Sequence, residues 1–500
     1  MNNKNYKNIS ILKNNFNTKN KILKTLKFFL FFLRLGFMAY GGPAMLGFIK
    51  KEVVFKNKLI TEDDFNDGIA LVNVIPGATN SQMIAYIGYK LKKSRGALIA
   101  FSAFILPAFI EMLIFTILYK QSGSIGLFMY IFKILETVIT AILLNTTIIF
   151  GSKIIKEWRL DIIAIVALVM LIFKINVLLI LLIIIVLTFL LFMIGKKFWP
   201  FNERKKLQKS KSADNDENNN AKFNNNTNFN NISNINNNNA KLNNKNYDNF
   251  NYNNYDNLNN LQTAAVGTPV KDNLNNFKIV INNEKKAKNN IKLNLNSFFR
   301  TYIGFFVALA LIVISLILSY LLKKNLFLAG LSLTKASVIG FGGAIPMLTV
   351  IQYDMVSVLK IFSQKQIIDA LVLGQITPGP IMITSTFIGF YIYGFIGAIL
   401  STIVAFYPSF AVFSLVAPKY EVVKNNKYVK LAVKGIMGMF VGMLLFFLYS
   451  VGKEAIKGYA SGIFALISFI AIKFKIKEIY VIAGAVIIGL ILYFLKFNFI

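Results

Sequence analysis

Long apolar stretches recur along this chain, and they constrain its fold more than any other feature. Val177 to Ile194 and Ile479 to Leu495 are two examples. Each is close to the roughly 20 residues that an α-helix needs to cross a bilayer. The apolar runs are continuous rather than alternating, which disfavours a transmembrane β-barrel. The sequence therefore predicts an all-α polytopic membrane protein.

Paired glycines interrupt two of these apolar segments. The first segment carries Gly41 and Gly42, and the second carries Gly342 and Gly343. A glycine pair is costly inside a helix, because glycine loses more conformational entropy on folding than any other residue. Its appearance twice, at matching places, predicts an internal repeat with broken helices.

The spacing of other landmarks tests this repeat. An offset of 301 residues relates four pairs: Arg34 and Lys335, Gly41 and Gly342, Gly96 and Gly397, Pro107 and Pro408. Between these landmarks the offset becomes 302, as Pro378 minus Pro76 shows. One shared offset at so many places is improbable by chance, so we predict two homologous halves.

A Pro-Gly dipeptide forms a second interruption in each half, Pro76-Gly77 in the first and Pro378-Gly379 in the second. Proline lacks a backbone N–H, and glycine frees the chain to turn. The arms on either side, residues 65–75 and 79–89, are each short for a membrane span. We predict a broken or re-entrant hairpin, which membranes tolerate only where it is buried in protein or lines a cavity.

Composition divides the chain into five regions. Residues 1–24 are rich in Asn and Lys, carry no acid and predict a cytosolic tail. The two repeats are expected at residues 25–195 and 323–500. Residues 196–297 form an Asn-rich linker, too poor in apolar residues to offset its ordering entropy and therefore predicted to be disordered. Residues 298–322 form a linking transmembrane helix.

The charges of the loops predict how the halves are oriented. One extra span between two even halves would invert the second half relative to the first. The loop at residues 90–95 is rich in cations, whereas its counterpart at 393–396 has none. The positive-inside rule then places the N-terminus and the linker in the cytosol, although the lysine-rich loop 50–58 counts against this. We expect roughly 10–13 transmembrane segments, in the cell membrane.

The excess of basic residues narrows the classes of function. The formal net charge is +33, with 55 Lys and Arg against 22 Asp and Glu. Because the lysines lie mostly in the tail, the linker and short loops, they favour topology and contact with anionic lipid over nucleic-acid binding. The chain has no Cys and no His, and it shows no Walker motif. We therefore expect that the protein is not an enzyme and that it binds neither a cofactor nor a metal ion.

The broken helices predict a site for an anion. A helix that begins at a break exposes unpaired N–H groups and the positive end of its dipole. Arg34 and Lys335 precede the glycine pairs by two turns, and a cation in an apolar segment marks a functional hypothesis. Alternatively, the glycines serve only to let helices pack closely. The two cations would then extend to the membrane interface or pair with an acidic residue.

Hydroxyl and amide side chains follow each Pro-Gly break and would donate to an oxyanion or cap a half-helix. They are Thr79, Asn80, Ser81 and Gln82 in the first half and Thr384, Ser385 and Thr386 in the second. The candidate substrate-binding residues are Arg34, Gly41, Gly42, Pro76, Gly77, Thr79, Asn80, Lys335, Gly342, Gly343, Pro378, Gly379, Thr384 and Ser385.

Two glutamates lie within apolar spans of the first half, Glu111 and Glu136. Val412 and Met437 occupy the equivalent positions of the second half. Either glutamate is a candidate for proton coupling, and the alternative is a salt bridge with Lys133 or another lysine.

Several motifs carry a family resemblance. In the first half they are Phe32-Leu33-Arg34-Leu35-Gly36, Tyr40-Gly41-Gly42-Pro43, Pro76-Gly77, Gly96-Ala97 and Leu106-Pro107. In the second half they are Phe341-Gly342-Gly343, Asp369-Ala370-Leu371, Pro378-Gly379-Pro380, Gly397-Ala398 and Pro408-Ser409. In order and spacing they resemble the chromate ion transporter family in its long, two-domain form. The resemblance covers most of the chain outside the tail and linker.

The resemblance implies a secondary carrier for chromate, with sulfate as a related oxyanion, driven by the membrane potential or a proton gradient. Alternating access between the two halves is the expected mechanism. The family often has a histidine shortly after Gly-Gly-Pro, where this chain has Met45-Leu46, which bears on substrate preference. The alternative is a carrier or channel for another inorganic anion or small solute. The expected partners are the oxyanion, the lipid bilayer, a coupling proton and a second copy in a homodimer.

Overall fold

The computed structural model describes five stretches of the chain: residues 21–39, 44–122, 126–198, 297–420 and 426–496. These residues form helices, turns and loops, and they contain no β-strand. Residues 1–193 and 298–500 belong to one compact unit, to which the following applies. The predictions for Gly41 and Gly42, and those for most of the N-terminal tail and the Asn-rich linker, lie outside the described residues.

The first half is a series of helices in the order that its apolar segments predict. They are α1 (Lys21–Met38), α2 (Ala44–Lys50), α3 (Glu62–Val72), α4 (Thr79–Ser122), α5 (Gly126–Ile154), α6 (Trp158–Ile172) and α7 (Val177–Phe198). A π-helical segment, Lys51–Lys56, continues α2.

The second half follows a separate helix, α8 (Ser297–Leu322). Its helices are α9 (Lys324–Ile339), α10 (Ala344–Gln352), α11 (Gln364–Ile376), α12 (Thr384–Val416), α13 (Lys427–Ala455), α14 (Tyr459–Lys473) and α15 (Glu478–Phe494). A π-helical segment, Tyr353–Val358, continues α10, as in the first half.

The two halves match helix by helix, α1–α7 with α9–α15. Helices α5 and α13 are both 29 residues long, and α6 and α14 are both 15. The hairpin helices α3 and α11 also begin in the same way. Thr61 caps α3 through the backbone N–H of Asp64, and Ser363 caps α11 through that of Gln366. These shared lengths and caps confirm the predicted repeat.

Helices α4 and α12 each bend sharply near one end. The bend in α4 falls at Lys92 and Lys93, where Lys93 has φ 54° and ψ −151°, and α12 bends at the equivalent Tyr393 and Gly394. A Cβ at Gly96 would collide with the carbonyl group of Gly88 across the bend. Each helix is therefore a short arm followed by a longer one, and the short arm joins α3 or α11 in a hairpin.

The two halves interlock through their long helices. Helix α4 packs against α12, and α5 packs against α13. In addition, α6 packs on α13 of the other half, while α14 packs on α5. The ring of Phe101 lies 4.7 Å from that of Phe410, and the hydroxyl groups of Ser102 and Tyr407 lie 2.8 Å apart. The two halves therefore share one hydrophobic core.

Within the described stretches, five helices are long and apolar enough to cross a membrane: α4, α5, α8, α12 and α13. Shorter apolar helices are present in both halves as well. Helix α8 is the least buried of the five and exposes large apolar side chains, including Leu321 at 71%. Such a surface is compatible with lipid rather than water. The predicted all-α, multi-pass membrane fold is thereby confirmed.

Because the halves interlock, we expect a substitution at their contact to lower the stability of the protein. A Cβ at Gly435 in α13 would collide with Thr188 in α7. We expect Gly435→Ala to cost about 1–3 kcal/mol through overpacking and to lower the melting temperature of the purified protein. Adding Thr188→Ala is expected to restore most of the loss. The control is Gly484→Ala, since nothing lies within 4 Å of a Cβ there. Equal melting temperatures for Gly435→Ala and Gly484→Ala would contradict the interlock.

Candidate functional site

The Pro-Gly break of each half is hydrogen-bonded to the backbone two residues before the glycine pair of the other half. The backbone N–H of Gly77 donates to the carbonyl oxygen of Gly340 at 2.8 Å. The N–H of Gly379 donates to the carbonyl oxygen of Ala39 at 2.7 Å. Both donors and both acceptors are equivalent in the repeat, so the two hydrogen bonds are reciprocal. They bring together the helix breaks of both halves.

Both Pro-Gly breaks require glycine. Gly77 has φ +124° and Gly379 has φ +102°, conformations that side chains disfavour. Each also packs tightly on the helix of the opposite half, next to its internal proline. A Cβ at Gly77 would lie 2.7 Å from Cβ of Ser409, and one at Gly379 would lie 2.7 Å from Cβ of Ala108. Pro76 and Pro378 are buried beside them.

Two helix N-termini from different halves come together at this junction. Thr79 is the first residue of α4, and Gly343 is the N-cap of α10. A Cβ at Gly343 would lie 3.4 Å from Oγ1 of Thr79. No side chain caps the start of α10, where Gly342 and Gly343 have φ +87° and +116°. Unpaired N–H groups and positive dipole ends therefore meet in one place.

Buried polar side chains flank the two Pro-Gly breaks. The hydroxyl groups of Ser81, Thr384 and Ser385 are buried and have no hydrogen-bond partner among the described residues, and Oε1 of Gln82 has none either. Buried polar groups without a partner are rare, because each costs about 1–3 kcal/mol. The four near the breaks are therefore free to bond to a ligand or to water. Thr79 and Asn80 are half-buried beside them.

The two cations expected to be equivalent differ in their surroundings. Lys335 forms an ion pair with Asp354, which also accepts a hydrogen bond from Ser332 at 2.7 Å. Lys335 thus has the acidic partner that the sequence left open as its alternative. Arg34 is exposed on α1, on the same face as Phe37, and pairs with no acid in the described parts of the chain. The carboxylate at the position equivalent to Asp354, Glu52, is 3.0 Å from Lys56 instead.

The two candidate proton-coupling glutamates also differ. Glu136 is buried and its Oε1 lies 2.8 Å from Nζ of Lys365, so it has the salt bridge with another lysine that the sequence left open. Glu111 is half-exposed in α4, and no described residue forms an ion pair with it. In the described part of the chain, no group of acidic side chains is arranged to hold a metal ion.

Sequence reasoning missed two members of these charged groups, Asp354 and Lys365. Asp354 lies 19 positions after Lys335, since 354 − 335 = 19, and Lys365 is far from Glu136 in sequence. The equivalence of Asp354 with Glu52 at an offset of 302 was the one available signal.

Comparison with known proteins decides the family. Residues 26–190 and residues 325–490 each match the family model described as chromate transporter. The chain belongs to the chromate transporter family. The two matches fall on the two structural halves, so this is a chromate transporter family member with both halves in one chain. Membership of a transport family gives it a transport role rather than an enzymatic one.

Relatives in this family align over nearly the full length. An uncharacterized transporter of Methanocaldococcus jannaschii is 28% identical over 420 residues, which cover 84% of this chain and 82% of the relative. A chromate transport protein of Cupriavidus metallidurans is 22% identical over 471 residues, 93% and 92% of the two chains. A probable chromate transport protein of Synechococcus elongatus is 22% identical over 468 residues, 92% and 94%. No solved structure matches.

Proposed function

We propose that this chromate transporter family member is a secondary carrier of tetrahedral oxyanions, chromate and sulfate, and that the anion binds where the breaks of the two halves meet. The observation that carries this proposal is the set of buried, unpartnered polar groups beside two converging helix N-termini. The names of the relatives from Cupriavidus and Synechococcus support chromate as one substrate.

The chemistry of this junction favours a doubly charged oxyanion. Its oxygens accept hydrogen bonds from backbone N–H groups and hydroxyl groups, and the helix dipoles add favourable charge. Because Asp354 already neutralises Lys335, the anion is held mainly by dipoles and hydroxyl groups. The residues that we assign to this site are Pro76, Gly77, Thr79, Asn80, Ser81, Gln82, Gly342, Gly343, Pro378, Gly379, Thr384 and Ser385. By the repeat we also propose Gly41 and Gly42, which lie outside the described residues.

Alternating access follows from a site that both halves build. In an inverted arrangement, rocking of one half against the other would open the junction first to one side and then to the other. The basic loops support a location of the N-terminus and the linker on the cytosolic side. The membrane that we propose is the cell membrane. The membrane potential or a proton gradient would drive transport. A homodimer remains the expected assembly, and the mass of the purified particle tests it.

The hydroxyl groups of the second half supply a prediction. We expect Ser385→Ala and Thr384→Val to weaken chromate uptake into proteoliposomes by roughly tenfold to a hundredfold in affinity, because a hydrogen bond to a charged group contributes about 1.5–3 kcal/mol. Ser319→Ala is the matched control, since that buried hydroxyl group bonds to Ser315 within its own helix. Unchanged affinity in both variants would contradict the placement of the site.

A carrier or channel for another small anion is the competing function. Uptake of labelled chromate, competed by sulfate, molybdate, phosphate and chloride, separates the two. The oxyanion carrier predicts competition by sulfate and molybdate and saturation of uptake. Competition by chloride alone, or uptake that does not saturate, would favour the competing function.

A further inference from the structure

Four polar side chains from three helices of both halves form a cluster away from the oxyanion site. Nζ of Lys365 in α11 lies 2.8 Å from Oε1 of Glu136 in α5 and 3.3 Å from Oδ2 of Asp369. The hydroxyl group of Tyr119 in α4 donates to Oδ2 of Asp369 at 2.6 Å. We call these four residues the acidic cluster.

The acidic cluster holds one carboxylate more than its cation can neutralise. The side chains of Asp369 and Glu136 are 0% and 7% exposed, so both carboxylates are removed from water. A buried carboxylate without a full counter-charge is strongly disfavoured. Binding one proton would make the cluster neutral. The side chain of Lys365 is 41% exposed, so the cluster extends to the surface of the protein.

Among the described residues, no second cation forms an ion pair with Glu136 or Asp369. Helices α13, α14 and α15 also pack on α5, yet none of their described basic side chains pairs with Glu136. Lys133, one turn before Glu136 in α5, forms no ion pair with it either. The hydroxyl group of Tyr391 in α12 accepts a hydrogen bond from Gln366 at 2.6 Å. Within the described residues, Lys365 is therefore the cation that serves both carboxylates of the acidic cluster.

Two members of the acidic cluster, Lys365 and Asp369, lie on the helix that leads directly into the proposed oxyanion site. Helix α11 ends at Ile376, and Pro378-Gly379 follows at once. Through Glu136 and Tyr119, α11 is tied to two helices of the first half. A change in charge at Glu136 thus acts on the same hairpin whose end contacts the anion.

The first half does not repeat the charges of the acidic cluster. Asp67 is the counterpart of Asp369, but Asp63 stands where the second half has Lys365, and Met437 is the counterpart of Glu136. The combination of two carboxylates with one lysine therefore belongs to one copy of the repeat, as expected for a function that the transport cycle needs once.

We propose that Glu136 and Asp369 form the binding site for one coupling proton, and that its uptake by Glu136 loosens the ion pair with Lys365 and frees α11 to move. The proton adds to a carboxylate oxygen of Glu136, while Lys365 stays paired with Asp369. The site therefore links proton binding to movement at Pro378-Gly379. This inference rests on the proposed transport function.

The test uses the full chain in proteoliposomes with an internal pH indicator. Two quantities are measured: exchange of chromate across the membrane, and proton movement driven by a chromate gradient. In parallel, infrared spectroscopy follows the carbonyl band of protonated carboxylic acids as the pH is lowered. The variants are Glu136→Gln and Asp369→Asn, with Glu454→Gln as the control because Glu454 pairs only with Lys457 at 2.8 Å.

We expect Glu136→Gln to keep chromate exchange but lose chromate-driven proton movement, and to lose one carbonyl band that Glu454→Gln keeps. Asp369→Asn provides a second variant if Glu136→Gln misfolds, and it is expected to lose the same proton movement. Wild-type proton movement in both variants, or its loss in Glu111→Gln instead, would overturn the inference. If the wild type exchanges no chromate, the proposed function fails, and the infrared band alone then decides whether Glu136 binds a proton.

Discussion

Gly379→Ala is expected to abolish oxyanion uptake. An alanine at φ +102° is strained by about 1–3 kcal/mol. Its Cβ would also lie 2.7 Å from Cβ of Ala108 on α4, a rigid helix of the opposite half. The strain and the contact together would push Gly379 away and break its N–H bond to Ala39, which holds the two halves in register. Initial rates of chromate uptake by reconstituted protein, with melting temperature, measure the effect.

Two control glycines separate the causes. Gly394 has φ +58° but nothing lies within 4 Å of a Cβ there, so Gly394→Ala tests strain alone. Gly47 has neither a positive φ nor a near neighbour, so Gly47→Ala tests the substitution itself. We expect Gly394→Ala to reduce stability modestly and Gly47→Ala to change nothing. If Gly379→Ala transports as well as Gly47→Ala, the junction is not essential.

Lys335→Met is expected to destabilise the protein severely. It would leave Asp354, whose side chain is 5% exposed, as an unpaired buried carboxylate. Breaking a buried ion pair in this way costs about 3–5 kcal/mol. Ser332 would still donate to Asp354, but one hydrogen bond from an uncharged donor does not replace a cation. Melting temperature and the yield of monodisperse protein report the loss.

The double variant Lys335→Met with Asp354→Asn decides what the lysine does. It removes both charges, and we expect it to recover most of the stability and also the uptake, because Lys335 serves the fold rather than the anion. Recovery of stability without recovery of uptake would contradict this and would place the ammonium group on the substrate. Asp354→Asn alone should be less stable than the double variant, since it leaves Lys335 unpaired.

Much of the fold can be predicted from the sequence because each half of the repeat can be compared with the other. The offsets of 301 and 302 anticipate equivalent helices, and the Pro-Gly dipeptides anticipate breaks, since proline and glycine act locally on the backbone. The bend of α4 was harder to see. It falls at Lys92 and Lys93, neither of which favours a turn, and only the pair Gly88 and Gly96 marks the close approach of its arms.

The junction itself depends on contacts that no local pattern encodes. The hydrogen bond from Gly77 to Gly340 joins residues of different halves, and so does the ion pair between Glu136 and Lys365. The sequence treated Arg34 and Lys335 as equivalent because the offset aligns them. The two cations differ because of their tertiary partners. Asp354 forms an ion pair with Lys335, whereas its counterpart Glu52 pairs with Lys56.

The central claim is that a tetrahedral oxyanion binds at the junction of the two halves, and anomalous scattering from chromium in a chromate-soaked crystal tests it most directly. We expect a single strong peak within hydrogen-bonding distance of the N-termini of α4 and α10 and the hydroxyl groups of Ser81, Thr384 or Ser385. A peak at saturating chromate that lies elsewhere, such as beside Arg34 on the exposed face of α1, with none at the junction, would contradict it.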